Sequence, residues 1–136
     1  MNKIKGNIKK ININGLVSQI DIDCFGEVIK VLILQVPTLF KEKDPIELFV
    51  KESEILLAKR SDDMINKNTI SIQNILNGKV SSIKNGDIFT EVAVSTSVGQ
   101  MIVITETESF KRLDIIISSP VCLLIKANSI GLGATG

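Results

Sequence analysis

The stretch T-I-S-I-Q-N-I-L-N-G-K-V, Thr69 to Val80, stands at the middle of the 136-residue chain, and its parts recur near the start. Asn2, Ile4 and Gly6 match Asn74, Leu76 and Gly78, and Asn14-Gly15 matches Gly86-Asp87 in position. Ser18, Ile20 and Ile22 match Thr90, Val92 and Val94; with one residue added, Gly26 matches Gly99. Further on, Pro45 matches Pro120, Lys51 matches Lys126, and Ile55 and Leu57 match Ile130 and Leu132. Glycine, proline, lysine and strand parity stay in step, which marks an internal repeat. The chain is therefore read as two units, residues 1–64 and 65–136, with the second opened by residues 70–80.

Within each unit the patterning is that of strands. Ile4 to Ile13 alternates apolar and polar residues and runs into Asn14-Gly15, a strong hairpin signal. Leu16 to Cys24 alternates again, and Phe25-Gly26 turns the chain into a third strand, Glu27 to Val36, which Pro37 stops. Thr38 to Lys43 reads as a short helical turn before Asp44-Pro45, and Ile46 to Val50 as a strand; Glu106 to Leu113 is the corresponding helix of the second unit. Lys59 to Asn68, with little apolar periodicity beyond Met64 and Ile65, reads as a surface linker. The expected fold class is all-β: two tandem OB-like five-stranded small barrels, each with a short helix. Units of about 65 residues have thin cores, so pairing within and between chains is expected.

Composition removes several functions. Lys plus Arg number 16 against 15 Asp plus Glu, too balanced for the basic field of a nucleic-acid binder. The chain has no histidine and no phosphate-loop motif, so acid–base work near neutrality and nucleotide hydrolysis lack agents. Cys24 and Cys122 have no CxxC partner, so direct side-chain ligation of a metal is not expected, and both read as buried thiols. The longest apolar run, Val28 to Val36, is interrupted by Lys30 and Gln35 and is too short for a membrane span. Met1-Asn2-Lys3 opens no secretory h-region, so a cytoplasmic location is the default. Glu52-Ser53-Glu54 and Glu106-Thr107-Glu108 read as solvated turn or helix starts rather than cation sites.

What remains is a set of hydroxyl, amide and lysine donors at strand ends, which suits a tetrahedral oxyanion. Residues Ile70 to Val80, I-S-I-Q-N-I-L-N-G-K-V, resemble the opening of a unit of the molybdate-binding TOBE/Mop family, whose motif has the form S-A-R-N-Q-L-x-G or S-I-R-N-I-L-P-G. Leu48 to Ala58, L-F-V-K-E-S-E-I-L-L-A, resembles the closing strand of such a unit, and Leu124 to Leu132, L-I-K-A-N-S-I-G-L, resembles a second one. The resemblance covers essentially the whole chain as a tandem pair.

That resemblance implies a non-enzymatic, cytoplasmic protein that binds molybdate or tungstate for storage, buffering or delivery. In the family each oxyanion sits at an interface between units, held by an opening motif of one chain and a closing strand of another. Carried over, Ser71, Ile72, Gln73 and Asn74 line one side and Lys126, Ala127 and Asn128 the other, with Thr105, Thr107 and Ser109 near an I-T-x-x-S element. Lys51 and Ser53 stand in for the first unit, whose opening motif is cut to Asn2, and Glu52 and Glu54 there repel an anion. Gln73 replaces an arginine common in the motif. The implied partner is the chain itself, as a homo-oligomer of trimer type with sites at subunit interfaces, without nucleic acid or membrane. An alternative is a regulatory module of a molybdate-transport ATPase or a molybdate-responsive transcription regulator. A third is an OB-like adaptor that binds no oxyanion.

Overall fold

The computed structural model describes residues 1–34, 39–60 and 65–134. Ten strands form in chain order: β1 (Asn2–Asn14), β2 (Val17–Cys24), β3 (Glu27–Ile33), β4 (Pro45–Val50) and β5 (Leu56–Lys59), then β6 (Asn74–Lys84), β7 (Phe89–Thr96), β8 (Gly99–Glu106), β9 (Pro120–Ile125) and β10 (Ile130–Gly133). One helix, α1 (Thr107–Leu113), follows β8, and 3₁₀ turns at Glu52–Glu54 and Ala127–Ser129 precede β5 and β10. All strand pairs are antiparallel.

The sheets do not follow the sequence repeat. One sheet runs β10-β4-β1-β2-β3 and the other β5-β9-β6-β7-β8. Each half of the chain thus sends its last strand into the sheet of the other. Ile130 pairs with Val50 and Gly131 with Phe49, while Leu56 pairs with Leu124 and Leu57 with Leu123. Alternation explains why these short strands hold: Ile55 and Ile130 are buried while their neighbours Leu56 and Gly131 face out. The exchange also merges the interiors, so Ile4, Ile20 and Leu48 of one sheet and Val92, Val103 and Leu123 of the other belong to a single buried cluster.

The hairpins show how local sequence sets register. Asn14 pairs with Val17, so the loop is Gly15-Leu16, with glycine at the first loop position at φ +63°, as a II′-type turn asks. Cys24 pairs with Glu27 around Phe25 and Gly26, both at positive φ, the I′ pattern. Thr96 pairs with Gly99 around an equally short loop, so the two hairpins superpose without the added residue expected from the sequence; Gly26 corresponds to Val98, and Gly99 opens β8. In β1 and β6 the register slips once, between Ile8 and Lys10 and between Val80 and Ser82, at corresponding places. Such bulges coil a strand enough to serve two neighbours in a small barrel.

The helix expected over Glu106–Leu113 is present as α1, one residue shorter. Asp114 ends it in the left-handed region at φ +52°, with its N–H on the Lys111 carbonyl. The first-unit helical turn expected over Thr38–Lys43 is not formed in the described part, residues 39–43. There Asp44 N–H donates to the Lys41 carbonyl at 3.1 Å while Lys41 N–H donates to Asp44 Oδ2 at 3.1 Å, a tight turn. Lys43 N–H then pairs with the Ile8 carbonyl at 2.7 Å, Lys43 takes φ +76°, and Pro45 disfavours helical geometry at Asp44. Thr38, residues 35–36 of the expected third strand, Pro37, and residues 61–64 of the expected linker lie outside the described residues. Among the described residues no helix is long and apolar enough to cross a membrane.

Sheet edges β3 and β8 are covered reciprocally. The 3₁₀ turn at 127–129 packs on β3 and that at 52–54 on β8. Two buried asparagines complete the cover. Asn74 Nδ2 donates to the Lys30 carbonyl at 2.9 Å and its Oδ1 accepts the Lys30 N–H at 2.8 Å. Asn2 does the same to Ile102, both bonds at 2.8 Å. A primary amide thus presents to the edge strand the donor–acceptor pair of a neighbouring peptide. Asn74→Ala is expected to lower stability by about 1–2 kcal/mol, because the half-buried Lys30 peptide loses both partners and is only partly rehydrated. Urea unfolding measures this; a shift under about 0.3 kcal/mol would show that the amide holds nothing.

Candidate functional site

Opening segment and closing turn meet inside one chain. Ser71 and Gln73 are exposed and Ile72 is half-buried just ahead of β6. Gln73 Oε1 accepts the backbone N–H of Ala127 at 3.0 Å, which holds the opening motif against the turn that begins at Lys126. Ala127 is buried, and the flanking Lys126 and Asn128 are exposed. Where an arginine would bring a fixed charge, Gln73 brings an acceptor that satisfies a turn amide.

The first unit has the same segment with different chemistry. Lys51 and Ser53 are exposed at the 3₁₀ turn Glu52–Glu54. The N-terminal ammonium of Met1 lies 2.8 Å from Glu52 Oε1. That hydrogen bond, with one from the backbone of Glu52 itself, holds the Glu52 carboxyl below its usual range. Neither Lys51 nor Lys126 forms an ion pair with a described residue, so both ammonium groups are open to an external anion.

The exchange places the two closing turns side by side. Lys51, Glu54, Asn128 and Ser129 line one concavity of about 470 Å³, bounded by Phe49 and Gly131. Ser129 Oγ donates to Glu54 Oε2 at 3.5 Å across this junction. By sequence Lys51 belongs to the first unit and Asn128 to the second. Strand exchange is what joins them, and nothing in the residue pattern announces it.

The remaining candidates sit elsewhere or are otherwise engaged. Asn74 spends its amide on Lys30, as described above. Thr107 Oγ1 is buried, 2.9 Å from Thr90 Oγ1 and donating to the Gly86 carbonyl at 2.8 Å, so it anchors the start of α1. Ser109 Oγ donates to Glu106 Oε1 at 3.2 Å and accepts from Arg112. Thr105, half-buried, pairs across the ladder with Thr90. The concavity beside this group, about 260 Å³, carries Asp87, Glu106 and Glu108 against Lys111, a balance unfavourable to an anion. No hydrogen bond among the described residues joins Thr105, Thr107 or Ser109 to residues 71–74 or 126–129.

Other chemistries find no support. Among the described residues no group of three or more Cys, Asp or Glu is placed to hold a metal ion. Burial, aided by the Asp23 charge, pushes the Cys24 thiol up to about 12, and burial raises Cys122, whose Sγ donates to Asn77 Oδ1 at 3.2 Å. Neither sulfur is a nucleophile near neutrality.

No curated protein sequence matches the chain. Among solved structures, a crystal form of the cytoplasmic molybdate-binding protein ModG with molybdate bound superposes with a TM-score of 0.88 at 21% identity, covering 98% of this chain and 96% of that one. The likeness extends over the whole tandem fold. Residues 70–132 match the TOBE domain family, from the opening motif to the last strand. That match lies over the second repeat.

Proposed function

We propose that this protein binds molybdate or tungstate, without catalysis, for storage, buffering or delivery in the cytoplasm. The observation that carries the reading is the Gln73–Ala127 contact, which sets a TOBE opening motif against a closing turn whose Lys126 is unpaired among the described residues. Support also comes from the shared fold of a protein described as molybdate-binding and cytoplasmic. In this reading the opening motif and closing turn that meet within one chain form one side of the site, and a second chain of a homotrimer completes it, as the family resemblance implies. Thin barrels and exposed apolar side chains such as Leu16, Phe25, Ile116 and Ile117 favour such assembly.

Donor-rich surroundings with few cations satisfy a fully deprotonated dianion, whereas protonated phosphate needs an acceptor as well. Calorimetry is therefore expected to show molybdate or tungstate bound in clear preference to phosphate. Lys126→Ala should weaken binding about ten- to a hundredfold, the size of one lost charge-assisted contact of about 1.5–3 kcal/mol. Ser71→Ala should cost about 0.5–1.5 kcal/mol, and Lys51→Ala less than Lys126→Ala, because Glu52 and Glu54 flank it. Light scattering with the oxyanion present tests the trimer. Equal affinity for every tetrahedral anion, or unchanged affinity in Lys126→Ala, would remove the assignment.

A further inference from the structure

The two closing turns are related by a local two-fold operation. Val50 pairs with Ile130 on one side and Leu56 with Leu124 on the other, both antiparallel, and the two closing turns, Glu52–Glu54 and Ala127–Ser129, lie between these pairs. Lys51 corresponds to Lys126, Glu52 to Ala127, Ser53 to Asn128 and Glu54 to Ser129 in the repeat. Applied to the hydrogen bond from Ser129 to Glu54, the operation returns the same pair, so this contact lies on the axis itself. Whatever stands there shares a concavity with Lys51.

The chemistry at that point is unequal. Ser129 contributes a neutral hydroxyl able to donate. Glu54 contributes an acceptor with a fixed negative charge, and it takes the hydroxyl that an arriving oxyanion would use. Its carboxylate also lines the concavity that Lys51, Asn128 and Ser129 share, which makes every anion entering there a like-charge neighbour.

We propose that Glu54 sets the oxyanion affinity at the junction of the two closing turns, standing in for a bound anion at Ser129 and holding the native affinity below what the donor set allows. This rests on the oxyanion-binding reading above. Two substitutions relieve it differently: Glu54→Gln keeps the shape and removes the charge, and Glu54→Ser makes the axis residue the same in both repeats. Titration of the full-length protein with molybdate and tungstate is expected to show both variants binding about tenfold tighter than wild type, with melting temperatures little changed. Glu52→Gln, whose carboxylate is already held by the Met1 ammonium, is expected to move affinity less than about threefold. Wild-type binding with unchanged or weaker binding in both Glu54 variants would overturn the role of Glu54 and leave the oxyanion reading standing. An equal gain from Glu52→Gln would also overturn it, by making the effect one of diffuse charge. Absence of binding in wild type and all variants would sink the oxyanion reading and this role together.

Discussion

Residues 1–64 and 65–136, expressed as separate chains, are expected to have no stable monomeric fold. Each half keeps four strands of its own sheet and a fifth that belongs to the other, so a lone half exposes the β4 or β9 edge that the exchanged strand covers. Loss of Ile130 and the half-buried Leu132 alone removes about 2–5 kcal/mol of burial from the first sheet, much of the stability of a domain this size. Because β5 and β10 match residue for residue at Ile55/Ile130 and Leu57/Leu132, two copies of one half can exchange strands with each other instead. The halves should therefore melt at temperatures that rise with concentration, and mixing them should restore a heterodimer with the spectrum of the intact chain. Circular dichroism and analytical ultracentrifugation at several concentrations decide this. A half that melts cooperatively as a monomer, independently of concentration, would show that each closing strand can fold back into its own sheet.

Gly78→Val is expected to destabilise the protein by at least about 3 kcal/mol and to unfold it outright if the reserve is small. A Cβ built at Gly78 lies 2.6 Å from the Ser95 carbonyl oxygen and 2.7 Å from Val94 Cγ1, so β6 and β7 must move apart to admit it. Gly6 is equally tight: its Cβ meets the Asp23 carbonyl oxygen and Cys24 Sγ, each at 2.7 Å. Both glycines stand two residues before the register slips, where the coiled strand brings its neighbour closest. Gly131→Ala is the control, because its Cβ meets nothing nearer than 3.9 Å. Thermal melts of the three variants should separate Gly6 and Gly78 from Gly131. Equal stability across the set would mean that the glycines matter for chain flexibility and not for approach.

Much of this was legible in the residues, and what was not has a physical reason. Alternation at Ile4–Ile13 and Ile20–Cys24 identifies half-buried strands because side chains in a strand alternate faces. The glycine pair 6 and 78 marks the repeat because both fill the same tight place. The exchange of β5 and β10 left no trace in the pattern, since a strand's alternation is the same whichever sheet receives it. For that reason the joining of Lys51 with Asn128 could not be read from the chain. Asn74 was legible as a repeated polar residue, but an amide that would face a ligand and one that caps a strand edge look alike in sequence. Its partner Asn2, matched to it in the repeat, was the available sign, because a lone strand-end asparagine has no reason to recur with its edge peptide. The helical turn expected at Thr38–Lys43 is absent over the described residues 39–43, where tertiary pairing of Lys43 with Ile8 outweighs local preference.

Joining the two repeats in one polypeptide has a consequence for what can stand between them. In a dimer of identical subunits, two residues that meet on the symmetry axis are copies of each other, and a carboxylate there would face a second carboxylate. Covalent linkage lifts that identity. Glu54 can then be opposed by Ser129, and the midpoint of the molecule becomes a position where one substitution changes the balance of charge without being imposed twice.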